Sequence, residues 1–179
     1  MPATFVEMIH DAWVAAYWAF DEPLRHNEYR SRALIESAVN RPMQSAFGME
    51  IHPTILDKAA ALFHSLITNH PFTNGNKRTA VVTIDLYLLA NDYCLVLGEL
   101  EMYQLAKQTA QHNERGISSE EILKTIAAKL KSSAVPLSKI GGSKELDELK
   151  IFMIGKRKRI RQIFTFTAIV DGLKLNWAP

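Results

Sequence analysis

The run His70-Pro71-Phe72-Thr73-Asn74-Gly75-Asn76-Lys77-Arg78-Thr79-Ala80 carries the signal from which the fold of this chain follows. It sets an ionisable base, a glycine turn, several amide groups and two cations within one loop and the first turn of a helix. A helix N-terminus leaves orphan N–H groups and a partial positive charge, so it attracts anions before any side chain contributes. Lys77 and Arg78 add formal charge at a place where the helix dipole disfavours cations unless an anion sits there. Gly75 allows positive φ and close approach by a ligand. His70, just before the turn, is the side chain most easily poised to accept a proton near neutral pH.

Each part also has an ordinary structural reading. Asn-Gly-Asn is a common turn and cap, His70-Pro71 a helix stop, and Lys-Arg a solvated face. The combination is what stands out. With residues at about 5% each, six fixed identities coincide in on the order of 10⁻⁸ of windows.

The stretch resembles the signature of the Fic/Doc family, His-x-Phe-x-Asp/Glu-Gly-Asn-x-Arg, and most closely its Doc (death on curing) branch, which continues Asn-Lys-Arg-Thr-Ala. Upstream, Leu34-Ile35-Glu36-Ser37-Ala38-Val39-Asn40-Arg41-Pro42 is similar to a Doc-type segment. Phe47-Gly48 through Pro53-Thr54 and Lys58-Ala59-Ala60-Ala61-Leu62 extend the likeness, which runs roughly from Thr4 to Lys131. The resemblance implies a mainly α fold, a helical bundle with a small flap. It implies roles too. His70 would deprotonate a hydroxyl on a target protein, and Phe72 would anchor the loop in the core. Gly75, Asn76 and the following amides would form an anion hole, with Lys77 and Arg78 holding phosphates. Gly48, Met49, Glu50, Ile51 and His52 would form the flap that docks the target by backbone pairing. For His52, an exposed loop histidine and a substrate contact are equally weighted readings.

Three departures from the pattern bear on chemistry. Asn74 stands where relatives carry an acid for Mg²⁺; an amide oxygen ligates a hard cation without the charge, so affinity should fall. Lys77 replaces the second glycine of the adenylyl-transfer motif, and Val81 replaces a second arginine. A lysine there would crowd the α-phosphate seat. In the Doc branch this change accompanies transfer of the γ-phosphate of ATP to a protein hydroxyl. The expectation is therefore an ATP-dependent protein phosphotransferase acting, by resemblance, on a translation factor such as elongation factor Tu. Nucleotidyl transfer (adenylylation) and a catalytically degenerate binding module are the alternatives. Many Fic proteins silence themselves with a Ser/Thr-x-x-x-Glu-Gly/Asn helix; no such string occurs here, so the resemblance implies an antitoxin acting in trans.

Bulk properties fit one domain with an appendage. In 179 residues, 47% are hydrophobic and the formal charge is +2, too small to argue for nucleic acid as a bulk partner. Cys94 is the single cysteine, in an apolar run, and reads as a small buried hydrophobe in a reducing compartment. No stretch approaches 18 uncharged apolar residues, so no membrane span and a cytoplasmic location are expected.

Helical spacing of apolar residues marks Phe5–Trp18, Arg30–Asn40, Thr54–Asn69, Asn76–Asn91, Glu99–His112 and Ser118–Leu130. Thr54 with Asp57 and Ser118 with Glu121 have capping-box spacing. His10 and His64 fall within helices and read as structural histidines, although Doc relatives also carry a histidine near the first. No cysteine or carboxylate at zinc spacing accompanies His64 and His70. Leu95–Leu97 reads as a brief strand. Residues 1–131 thus read as the catalytic domain, and 132–147, with Gly141-Gly142-Ser143, as a linker. Residues 148–179 read as a short antiparallel β extension turning at Asp171-Gly172. The cluster Lys156-Arg157-Lys158-Arg159 reads as a solvated turn.

Overall fold

A computed structural model of the chain describes residues 1–16 and 30–139. The protein is mainly helical, with six α-helices among the described residues: α1 (Ala3–Ala16), α2 (Arg32–Asn40), α3 (Ile55–Thr68), α4 (Asn76–Ala90), α5 (Glu99–Ala110) and α6 (Ser119–Ser133). Two small antiparallel sheets complete it. β1 (Ser45–Ala46) pairs with β2 (Met49–Glu50), and β3 (Tyr93–Leu95) with β4 (Ala134–Pro136). The expected β extension and its basic cluster lie outside the described residues.

The core forms around α3. Nine consecutive residues, Ala59 to Ile67, are buried, so this helix is covered on every side rather than along one stripe. The reason is in its composition. Ala59, Ala60 and Ala61 let neighbouring helices approach closely, while Leu62, Phe63, Leu66 and Ile67 fill the space beyond them. Its polar residues His64 and Ser65 meet Arg41, the residue after α2, whose Nη1 donates to His64 Nδ1 and Ser65 Oγ at 3.2 Å each. Thr54 Oγ1 accepts from the Asp57 N–H at 3.1 Å, as the capping spacing implies. Ser118 Oγ and the Glu121 carboxylate close the corresponding box at the start of α6.

α4 packs along α3 and α1. Tyr87, Ile84 and Leu88 enter the main core, and Val82 and Leu86 join Phe5 and Ile9 of α1 in a second cluster. A loop of seven residues joins α3 to α4, with His70 near its start and Gly75 at its end. The strand expected at Leu95–Leu97 is Tyr93–Leu95. Its position is set from across the chain: Val96 N–H donates to Ser133 O at 2.9 Å and Leu137 N–H to Asp92 O at 2.8 Å, bracketing the ladder. Ala134–Pro136, within the stretch read as a linker, therefore lies against the bundle.

His64 is 2% exposed. Burial first, then the Arg41 charge and His112, push its pKa down to about 4. Because Arg41 can only donate, Nδ1 accepts and the proton of the neutral ring sits on Nε2. The unfolded chain binds this proton near pH 6.5 and the folded one near 4, so the unfolded state holds more protons between those values. Stability from the neutral ring is complete above pH 6.5 and is lost as pH falls toward 4. The expected loss is on the order of 2 kcal/mol between pH 7 and 5. Urea unfolding at both pH values should show it, and His64→Gln should flatten the difference.

Candidate active site

Helix α3 is followed by its cap residue Asn69, whose backbone N–H still bonds Ser65 O, and whose side-chain Nδ2 donates to Leu34 O at 3.3 Å. His70 then takes the left-handed conformation, φ 46°, which breaks the helix and turns the chain out. Its imidazole is exposed, whereas Pro71 and Phe72 are buried. The Pro71 carbonyl accepts from Arg30 N–H at 2.7 Å, tying the turn to the start of α2. A solvent-facing base on a braced backbone results.

The loop closes on itself through Asn76. Its Oδ1 accepts from Phe72 N–H at 2.9 Å and its Nδ2 donates to Phe72 O at 2.8 Å. Both polar atoms of that side chain are thus committed to holding the loop, and what Asn76 presents to a ligand is its backbone. Gly75 precedes the helix at φ 81° and ψ 0°, a conformation that side-chain-bearing residues rarely adopt. Gly75 itself has no side chain with which to cap α4; the Thr79 N–H donates to Gly75 O at 2.9 Å. Lys77 is exposed and Arg78 half-buried on this first turn. A dipole-positive helix start with two cations can take a multiply charged anion.

Asn74 is exposed, but its Oδ1 accepts from the next residue, Gly75 N–H, at 2.7 Å. The atom that relatives would offer to a metal and one of the expected anion-hole donors here satisfy each other. Among the described residues no three His, Cys, Asp or Glu side chains stand together as a metal site.

A residue that sequence reasoning left as structural also belongs to this region. His10 of α1, 1% exposed, places Nε2 at 3.2 Å from the Asn74 carbonyl oxygen and stacks on Phe72, ring centres 3.9 Å apart and 5° from parallel. Only a histidine at that position near the start of the chain could have pointed to it, and nothing in the local sequence ties it to a loop 64 residues away.

The flap residues form a two-residue hairpin in which Ser45 opposes Glu50 and Ala46 opposes Met49. Phe47 and Gly48 have φ of 53° and 77°, the primed-turn geometry that suits a hairpin's twist. A bulky residue at the first of these positions is strained by about 1 kcal/mol or more. Phe47 is wholly exposed, and Met49 and Ile51 are also exposed. Glu50 pairs with Lys58 Nζ at 3.0 Å, fixing the foot of the hairpin to the first turn of α3. His52 is half-buried, and burial, then the Arg41 charge, lower its pKa from the ordinary imidazole value. Lys58 and Asn69 are separated by roughly 16 Å of helix rise, so the hairpin's foot and the His70 loop sit at opposite ends of α3.

Residues 2–88, which hold the loop, the flap and both helices around them, match the model of the Fic/DOC family. That segment, just under half of the chain, is what is similar to the Fic/DOC family. Across 70 residues it is 41% identical to Toxin Doc of Mycolicibacterium smegmatis, a match that covers 39% of this chain and 52% of that one. The chain thus spans about half the length of this relative. No solved structure matches it. Among the described residues, no helix is long and apolar enough to cross a membrane.

Proposed function

We propose that this protein is a Doc-like toxin that transfers a phosphate from ATP to a hydroxyl of a target protein. The observation that carries this reading is an exposed imidazole in the same short loop as a left-handed-glycine helix start bearing Lys77 and Arg78. His70 takes the proton of the acceptor hydroxyl as that oxygen bonds to the γ-phosphorus, and the bond to the β–γ bridging oxygen breaks to leave ADP. The amides of Gly75 and Asn76, with Lys77 and Arg78, hold the phosphates; Arg78 can do so as a two-pronged donor. Positioning and charge stabilisation are most of what such a transfer asks of a protein.

Mg²⁺ fits this site only with a single neutral protein oxygen, Asn74 Oδ1, the remaining ligands coming from phosphates and water. When bound, it would offset charge on the phosphate oxygens. Asn74→Asp should therefore raise Mg²⁺ affinity and transfer together, by roughly tenfold for one added charge-assisted contact; calorimetry with MgCl₂ and ATP checks it. If neither rises, the degenerate binding module, which the Asn74–Gly75 contact favours, becomes the better reading.

The Toxin Doc match supports a toxin; in this reading it acts in the cytoplasm, is held in check by an antitoxin in trans, and takes elongation factor Tu as acceptor, docked on the flap of Gly48, Met49, Glu50, Ile51 and His52. Residues 1–131 act as the catalytic domain in this reading, followed by a linker (132–147) and a β extension (148–179). Incubation with ATP labelled at the α- or the γ-phosphate decides the chemistry. Label retained on the target from the γ position supports phosphate transfer; retention from the α position means adenylylation. Expression of the chain alone should stop growth, and unimpaired growth at verified protein levels would count against a toxin.

A further inference from the structure

We propose that His10 is a positioning residue that fixes the direction of the Gly75 N–H, and so preforms the anion cradle from a different helix. The inference rests on the use of this loop to hold phosphate. A backbone carbonyl only accepts, so the His10 Nε2 at 3.2 Å from Asn74 O must carry the proton and donate it. The Asn74 carbonyl and the Gly75 N–H belong to one planar trans peptide and point in opposite directions. Drawing the carbonyl toward α1 therefore turns the N–H away from α1. That is where an acceptor is found, Asn74 Oδ1 at 2.7 Å, an oxygen standing in the place a phosphate oxygen would take.

This restraint matters because a peptide with glycine on one side can rotate at little steric cost. The Asn76 side chain grips Phe72, two residues before the peptide concerned. His10 can hold its own orientation because it is 1% exposed and its ring lies flat on Phe72, with Nδ1 at 3.5 Å from Asp11 Oδ1. The two contacts divide the work. Stacking places the imidazole, and the Nε2–H···O bond orients the peptide.

Substitutions separate them. His10→Phe keeps an aromatic ring on Phe72 without a donor. His10→Gln keeps a donor near the Nε2 position without the ring. In ligand-free ¹⁵N-labelled protein, the Gly75 amide should exchange with solvent roughly three- to tenfold faster in His10→Phe, the worth of one hydrogen bond, and near the wild-type rate in His10→Gln. ATP should bind His10→Phe more weakly by a similar factor. A merely structural histidine would give the opposite ranking, because the ring and not the donor would then matter. Should His10→Phe not fold, His10→Asn, whose amide reaches only the Nδ1 position, gives the same test. Unchanged Gly75 exchange in the donor-less variant overturns the inference even if ATP binds normally. Faster exchange in a protein whose wild type binds no ATP supports the positioning role and instead removes the proposed function.

Discussion

Replacing His70 by alanine should lower phosphate transfer to the target by roughly 10²- to 10⁴-fold, the usual contribution of a general base. The fold should survive. The residue is exposed, and the left-handed backbone at this position, φ 46°, costs alanine on the order of 1 kcal/mol. ATP affinity should stay close to wild type, because in the proposed reading Gly75, Asn76, Lys77 and Arg78 hold the phosphates and the base acts on the acceptor. The measurement is single-turnover transfer with γ-labelled ATP, alongside a thermal melt. A variant that transfers at the wild-type rate would mean that some other group removes the proton.

Phe72→Ala should have the largest effect on stability, about 3–5 kcal/mol. Phe72 is 1% exposed, belongs to the main core, and carries the His10 ring on its face. Truncation leaves a cavity beneath the loop and removes the surface against which His10 is placed. Urea unfolding checks the magnitude. A second consequence separates anchoring from simple packing: the Phe72 backbone remains bonded to Asn76, so the loop should stay closed while losing its fixed direction. Transfer at temperatures where the variant is still folded should then fall by more than the folded fraction explains.

Much of the scaffold was legible because its signals are local. Thr54 with Asp57 and Ser118 with Glu121 mark helix starts through contacts spanning three residues, and both form as the spacing implies. Gly75 reads as a left-handed turn from its residue type alone, and is one at φ 81°. The β3–β4 pairing was not legible. Its two strands are separated by α5 and α6, and Ala134-Val135-Pro136 has the composition of a connector until the bundle provides Tyr93–Leu95 as its partner. α3 was legible as a helix but not as the centre of the core. An alanine run is compatible with one buried face or with all of them, and only the neighbours decide.

The chain's own residues settle the signature, the helices, the glycine turn and the presence of a base next to two cations, since each of these depends on identities within a few positions. Packing settles the rest. It lays α1 against α4, so that a histidine 64 residues distant in sequence grips the Asn74 carbonyl. The physical reason is that a hydrogen bond needs direction as well as nearness. Direction across the chain exists only after the helices have docked.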